Sequence, residues 1–401
     1  MPKMKAASLG GGRAEPPGRR LRLVALLVGT VVGSGVGTQV TRAACTTAIC
    51  PAFPSCTIVG THDLGAKCIL DFSTKNVTVG QNAVLRTQAA GSLEIRAKTL
   101  ALNGTLRASG GDVTVRVGGD FTMAGAKSFI DTATSTPGVA GVVEITAAGR
   151  ATIGKVVTKG VGDGGDVFAT AKSVVLAGPV RAEGTDGAGG RTGEGGIVLL
   201  DADEDIDVTG TLSANAGGKK YADGGDIHID LGGDFRVAPT GIVSATGVSG
   251  GSGGRLYVYA WGGATMDGKL LFDGAGPDAT GGDIGLYPSK AVGTAGTWSA
   301  NGGNGPGAYG GTIDVAVDSY TGGASFASTN ALSMRATAGG GGQGGDINLE
   351  GSADLTVRGK LDVSAGGTGS RGGWIWVGSA IGGRQPRAVL VFRRERRERH
   401  V

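Results

Sequence analysis

The sequence is poor in the residues from which ordinary protein cores are built. Only 5% of its 401 residues are aromatic, and it has 12 prolines and 3 histidines. Glycine contributes 81 residues, about three times its usual share of ~7%. So much glycine disfavours helices, because it costs roughly 1 kcal/mol relative to alanine in a helix interior. No strict Gly-X-Y period suggests collagen, and recurring Val, Ile and Leu argue against plain disorder.

The chain also lacks an even distribution of charge, and its net charge of +4 does not describe its middle. Residues 1–22 and 384–401 each carry +5 and Arg42 adds one more, which leaves −7 for the rest. A mildly acidic body repels phosphate backbones, so we expect no nucleic-acid partner. The basic segment 384–401 shows no alternation and is predicted to be a disordered tail.

Long hydrophobic runs are missing as well. The apolar run 23–32 is interrupted by glycine and is too short for a good membrane-spanning helix, so we expect none in the mature chain. It follows basic residues at positions 19–22 and precedes small residues near position 43. This order is typical of an export signal. We predict a signal peptide over residues 1–44 and an extracellular, cell-surface or periplasmic location.

Cysteine is equally scarce, and its four copies lie together after the predicted cleavage site. They are Cys45, Cys50, Cys56 and Cys68. An even number of cysteines in an exported protein favours disulfides, so we predict an N-terminal cap over residues 45–80 that two bridges hold together. Three pairings remain open. A zinc site is the alternative, although no Cys-x2-Cys spacing supports it.

The chain is rich in one repeated unit of about 29 residues. Each unit has three short runs in which apolar and polar residues alternate, as in 226–230, 235–237 and 243–245. Alternation with period two is typical of β-strands, and stacked coils can share a core that one coil cannot form. We predict an all-β fold, a single-stranded right-handed parallel β-helix with three strands per coil and about 10–11 coils over residues 81–383. The small-residue pairs that begin the units, mostly Gly-Gly, start at positions 110, 140, 164, 195, 224, 253, 281, 310, 344 and 372.

Two of the repeated patterns resemble those of a known family. Gly-Gly-Asp-Ile-x-Leu at 344–349 and Gly-x-Leu-x-Ala at 210–214 resemble repeats of haemagglutinin-type exported β-helix proteins, the filamentous adhesins. The resemblance extends over roughly residues 77–383. It implies a surface or secreted rod that serves in adhesion or as a stalk.

Glycine and aspartate mark the corners of the predicted coils. We expect the corner glycines to adopt positive φ often. The residue after each small pair is aspartate in alternate coils, which keeps two carboxylates from stacking ~4.8 Å apart. We interpret these aspartates as turn caps. The full column reads Ser92, Asp112, Val142, Asp166, Ile197, Asp226, Arg255, Asp283, Thr312, Asp346 and Trp374.

An aromatic cluster is predicted on the outward side of the first strands. Aromatic side chains next to aspartate and histidine suit stacking on sugar rings, and exposed patches of this kind mark binding surfaces. The alternatives are a face that an insertion or a second rod covers, and an aromatic ladder that only stabilises the sheet. The candidate carbohydrate-binding residues are His228, Asp230, Tyr257, Tyr259, Trp261 and Tyr287; other predicted outward residues include Phe168, Val198, Leu200 and Trp376.

A second candidate site is an acidic corner. Asp203 and Asp205 end one first strand, and Asp234 occupies the position of Asp205 one coil later. Calcium would relieve the repulsion between such carboxylates. A solvated acidic turn is the alternative, and we expect no other cofactor.

Catalytic motifs are sparse. The sequence has no His-Glu-x-x-His or phosphate loop, and no nucleophile elbow with its partners. Asp201, Asp203, His228 and Asp230 could converge, but no spacing requires it. We therefore expect a structural or adhesive protein whose partner is a polysaccharide or a cell-surface molecule. A polysaccharide lyase or glycoside hydrolase on the same scaffold is the alternative.

Overall fold

The computed structural model describes residues 49, 55–186, 193–219, 221–317, 324–378 and 388–390. Backbone contacts divide the chain into two units, residues 1–41 and 42–401, and all described residues belong to the second. The predicted signal peptide, Cys45, Cys50 and most of the predicted tail lie outside the described residues. The described ranges contain no helix long and apolar enough to cross a membrane.

The described chain is a parallel β-solenoid, which confirms the predicted fold. Its coils have three strands each, named here the first, second and third strand. Twelve third strands form one sheet, so eleven turns separate the first from the last. First and second strands together form a sheet of 21 strands.

In four of the early coils the first and second strands join into one continuous strand. In the other coils each strand is separate. The continuous strands are β3 (Lys67–Val79), β5 (Ser92–Leu102), β10 (Val143–Ile153) and β12 (Val167–Leu176). The separate first strands are β7 (Val113–Val117), β14 (Ile197–Ala202), β17 (Asp226–Leu231), β20 (Arg255–Ala260), β23 (Asp283–Pro288), β26 (Thr312–Ala316), β29 (Asp346–Glu350) and β32 (Trp374–Gly378). The separate second strands are β1 (Ser55–Ile58), β8 (Phe121–Thr122), β15 (Ile206–Val208), β18 (Phe235–Val237), β21 (Ala264–Met266), β24 (Val292–Thr294), β27 (Phe326–Ser328), β30 (Leu355–Val357) and β33 (Ala388–Leu390). The third strands are β2 (Thr61–Asp63), β4 (Val84–Arg86), β6 (Thr105–Arg107), β9 (Phe129–Asp131), β11 (Lys155–Val157), β13 (Val180–Arg181), β16 (Thr211–Ser213), β19 (Ile242–Ser244), β22 (Lys269–Leu271), β25 (Thr297–Ser299), β28 (Ser333–Arg335) and β31 (Lys360–Asp362).

The stack extends beyond the predicted solenoid at both ends. Ser55–Ile58, within the predicted cap, pairs in register with the end of β3. Ala388–Leu390, within the predicted tail, pairs with Leu355–Val357. Coil stacking therefore reaches into both flanking segments.

The core is a narrow column of inward-facing side chains. Val243 and Ala245 of one coil are fully buried, as the alternation predicts. Trp298 is also fully buried, and its register partners in the adjacent coils are Leu270 and Met334. Because each coil buries its apolar side chains only with its neighbours, the core forms by stacking alone.

Positive φ occurs at twelve of the described glycines, but rarely in the small pairs that begin the units. Nearly all glycines of the small pairs lack positive φ, Gly110 being an exception. The second glycine of each pair instead lies against the backbone of the coil before it: a Cβ on Gly254 would collide with the carbonyl oxygen of Gly225. Close approach, and not backbone conformation, excludes side chains here. The same contact recurs at Gly111, Gly141, Gly165, Gly196, Gly225, Gly282, Gly311, Gly345 and Gly373.

Two of the aspartates after the pairs, Asp112 and Asp166, accept backbone hydrogen bonds at the corners, as the sequence interpretation expects. Asp112 Oδ1 accepts the backbone N–H of Val142 one coil later at 2.9 Å. Asp166 Oδ1 accepts that of Ile197 at 2.9 Å. These bonds join successive coils at the corner where the chain enters the first strand.

Candidate functional site

The outward side chains of β17, β20 and β23 form one surface. We call this surface, together with Trp261, the aromatic face; Trp261 is the residue after β20. Strand register places His228 beside Tyr257, and Asp230 beside Tyr259, which in turn lies beside Tyr287. Five of the six residues predicted to bind carbohydrate therefore share one face, and Trp261 lies at the corner that follows it. The five do so because each occupies an odd position of its strand, counted from the residue after the glycine pair.

Three rings of the aromatic face pack against one another. The Tyr259 ring centre lies 5.5 Å from that of His228 and 5.0 Å from that of Tyr287, with an interplanar angle of 20° to Tyr287. The Tyr287 hydroxyl donates a hydrogen bond to Asp314 Oδ2 at 3.0 Å. Burial, followed by the nearby Asp314 carboxylate, raises the pKa of Tyr287 well above its usual value. The hydroxyl therefore remains a donor at physiological pH, and the rings stay fixed in place.

A glycine within the strand makes room for this packing. Gly285 is the register neighbour of Tyr257. A Cβ at Gly285 would lie 2.8 Å from Tyr257 Cδ1 and 2.8 Å from the Tyr287 hydroxyl oxygen. The sequence analysis missed Gly285, although a glycine within a strand is a known sign of close approach.

Trp261 differs from the tyrosines because its ring is exposed. Its relative exposure is 69%, the largest on the aromatic face. Its backbone N–H donates to the carbonyl of Leu231 at 3.0 Å, which fixes its position on the corner. Within the described ranges it stacks on no other ring, so most of its surface is open to a ligand.

Two carboxylates adjoin the tyrosines. Asp201 and Asp230 are direct register partners in adjacent coils, and Tyr259 follows Asp230 in the same column. Burial raises the pKa of Asp201, and the charges of Asp230 and then Asp203 raise it further. Neither Asp201 nor Asp230 forms an ion pair with a described cation.

One histidine nitrogen is left without a partner. His228 Nε2 is shielded from solvent and makes no hydrogen bond to any described residue. The ring is held by its contact with Tyr259. His228 therefore supports the ring cluster and offers this nitrogen to no ligand without rearrangement.

Two of the predicted outward residues are in fact buried. Val198 and Leu200 have no exposed surface, whereas Ile197 is 44% exposed. The reason is register: Ile197 pairs with Asp226, the residue after the next glycine pair. The prediction for this coil was shifted by one residue, which exchanges the two faces of a strand.

The predicted calcium residues occupy a corner whose carboxylates are already engaged. Asp205 Oδ1 accepts the backbone N–H of Asp234 at 2.7 Å, and Asp234 Oδ1 accepts that of Gly263 at 2.7 Å. Among the described residues no three acidic, histidine or cysteine side chains gather as metal ligands. Asp205 and Asp234 are adjacent, as predicted, but their hydrogen bonds brace the corner. Calcium binding stays a prediction.

Cys56 and Cys68 are both buried in the first coils.

Comparison with known proteins adds no identity, since no family model, no curated protein and no solved structure matches the chain.

Proposed function

We propose that this protein is an exported structural or adhesive β-solenoid that binds a polysaccharide on its aromatic face. The observation that carries the proposal is the exposed ring of Trp261, which lies at the corner directly after β20, the strand that carries Tyr257 and Tyr259. Outward positions on a strand repeat every ~6.6 Å. An extended sugar chain can follow such a row, and its C–H faces can cover the exposed ring.

The rigidity of the face favours binding. Tyr259 and Tyr287 are stacked, and Tyr287 is hydrogen-bonded to Asp314. Side chains that are already fixed lose little conformational entropy when a ligand binds. Trp261 supplies the exposed ring on which a sugar can stack.

We extend the proposal to the N-terminal region. Export through a signal peptide over residues 1–44 would place the face where polysaccharides occur. Two disulfides among Cys45, Cys50, Cys56 and Cys68 would then hold the first coils. Their support is the burial of Cys56 and Cys68 and the lack of a free thiol among the described cysteines.

The proposal is tested by removing the exposed ring. We expect Trp261→Ala to weaken polysaccharide binding at least tenfold, about 1.4 kcal/mol, as for a central contact residue. Affinity electrophoresis with a panel of polysaccharides, followed by calorimetry, measures the change. The matched control is Tyr309→Ala, because Tyr309 is 50% exposed but lies in the corner before Gly310.

Equal binding by the Trp261→Ala variant and the unmodified protein would contradict the proposal. The same incubations are analysed for new reducing ends and unsaturated sugars. Their appearance would support the alternative of a glycoside hydrolase or polysaccharide lyase, in which Asp201 and Asp230 would be the first residues to test.

A further inference from the structure

The charge of the aromatic face restricts the kind of polysaccharide it can bind. Outward carboxylates on and beside the face outnumber the described outward cations there, Arg255 and Lys290. Arg255 Nε lies 3.9 Å from Asp283 Oδ2, and Lys290 is exposed at the corner, where its backbone N–H donates to the carbonyl of Gly262 next to Trp261. Polyanionic chains would be repelled by this surface. The six carboxylates belong to Asp201, Asp203, Asp226, Asp230, Asp283 and Asp314.

Asp201 and Asp230 differ from the structural aspartates of this fold. Asp205 and Asp234 accept backbone N–H groups, and Asp314 accepts the Tyr287 hydroxyl. Asp201 and Asp230 have no such partner among the described residues, although strand pairing holds their backbones ~4.8 Å apart. Two carboxylates in this arrangement repel each other, and a cation between them would relieve the repulsion.

The surroundings of the pair suit an ammonium group. An ammonium has three N–H donors, enough to serve both carboxylates at once. Tyr259 borders Asp230 in the next coil. Trp261 lies two residues after Tyr259, just beyond the end of β20, and its exposed ring is available to the neighbouring part of a ligand.

We propose that the aromatic face binds a polysaccharide with free amino groups, whose ammonium ions lie at the Asp201–Asp230 pair while a sugar ring stacks on Trp261. This inference rests on the proposed function and specifies its ligand class. Neutral sugars use only the ring contact, so they bind more weakly. N-acetylation removes the positive charge and reduces binding accordingly.

The test compares ligands that differ in the amino group alone. Calorimetry at about pH 6 and low salt uses glucosamine oligosaccharides, their N-acetylated counterparts, and galacturonate oligosaccharides. We expect the free amine to bind at least tenfold more tightly than the acetylated sugar. Asp201→Asn with Asp230→Asn should abolish this preference but retain weak binding, whereas Trp261→Ala should weaken both. Asp207→Asn, an outward aspartate of the second strand, is the control.

The outcomes separate the two proposals. Equal affinity for amine and acetylated sugars, or tighter binding of galacturonate, would overturn the amino-sugar inference and leave the proposed function standing. An unchanged preference in the double variant would overturn the role of the aspartate pair. Failure of every carbohydrate to bind would remove the proposed function itself.

Discussion

At the scale of single residues, aspartate has two distinct roles in this chain. At the corners its carboxylate accepts a backbone N–H from the next coil, as Asp120 does for Arg150 at 2.8 Å. On the aromatic face Asp201 and Asp230 accept no such bond. Part of the acidity of the chain's middle therefore serves to brace the corners, and the Asp201–Asp230 pair does not share that role.

The corner role predicts a specific cost for Asp234. Asp234→Ala removes the acceptor for the Gly263 N–H and should lower the free energy of unfolding by about 1 kcal/mol. Asp234→Asn keeps a carbonyl acceptor and should restore most of the loss. Urea unfolding monitored by circular dichroism measures both. Asp207→Ala removes an outward aspartate without a described hydrogen bond, and equal losses in the Asp207→Ala and Asp234→Ala variants would refute the bracing role.

At the scale of the strand and corner, the glycine pair sets the geometry of the coil. The N–H of Gly254 donates to the carbonyl of Ala245 at 2.7 Å, which closes the coil at the end of the third strand. Its own Cα faces the carbonyl of Gly225 in the coil before. The pair thus fixes the position from which inward and outward residues of the first strand are counted.

Two glycine substitutions test whether stability depends on the close approach of backbones at the glycine pair or on glycine content in general. Gly254→Ala places a methyl group against the backbone of Gly225 and should destabilise the solenoid by about 1–3 kcal/mol through overpacking. Gly293→Ala in β24 is the control, since a Cβ there meets nothing within 4 Å. Thermal unfolding compares them. A similar melting temperature for both variants would contradict the close-approach argument.

Strands were predictable where alternation within one unit determines which side chains are buried. They were less predictable where the register between coils determines it. The third strand containing Val243 and its buried partner Ala245 follows from alternation alone. The burial of Val198 and Leu200 was mispredicted because the corner loops vary in length, so parity must be counted from the glycine pair. The stacking of Tyr259 on Tyr287 depends on the alignment of neighbouring coils and on the space that Gly285 leaves. The pattern within a single unit predicts neither.

At the scale of the whole solenoid, every coil is stabilised by its two neighbours. Val258 pairs with Ile229 before it and Leu286 after it, and this relation repeats along the stack. Stability in such an array is a sum of coil terms and nearest-neighbour terms. Damage to one coil should therefore remain local before it becomes global.

This argument gives a prediction for the buried tryptophan. Trp298→Ala leaves a cavity next to Leu270 and Met334 and should cost about 3–5 kcal/mol. Hydrogen exchange with mass spectrometry should show faster exchange in the coils next to Trp298 and nearly unchanged exchange near Val115, several coils away. Trp261→Ala removes the same side chain from an exposed position and should change neither region. Uniform loss of protection along the chain would mean that the solenoid unfolds as one unit, because local opening would then cost more than complete unfolding.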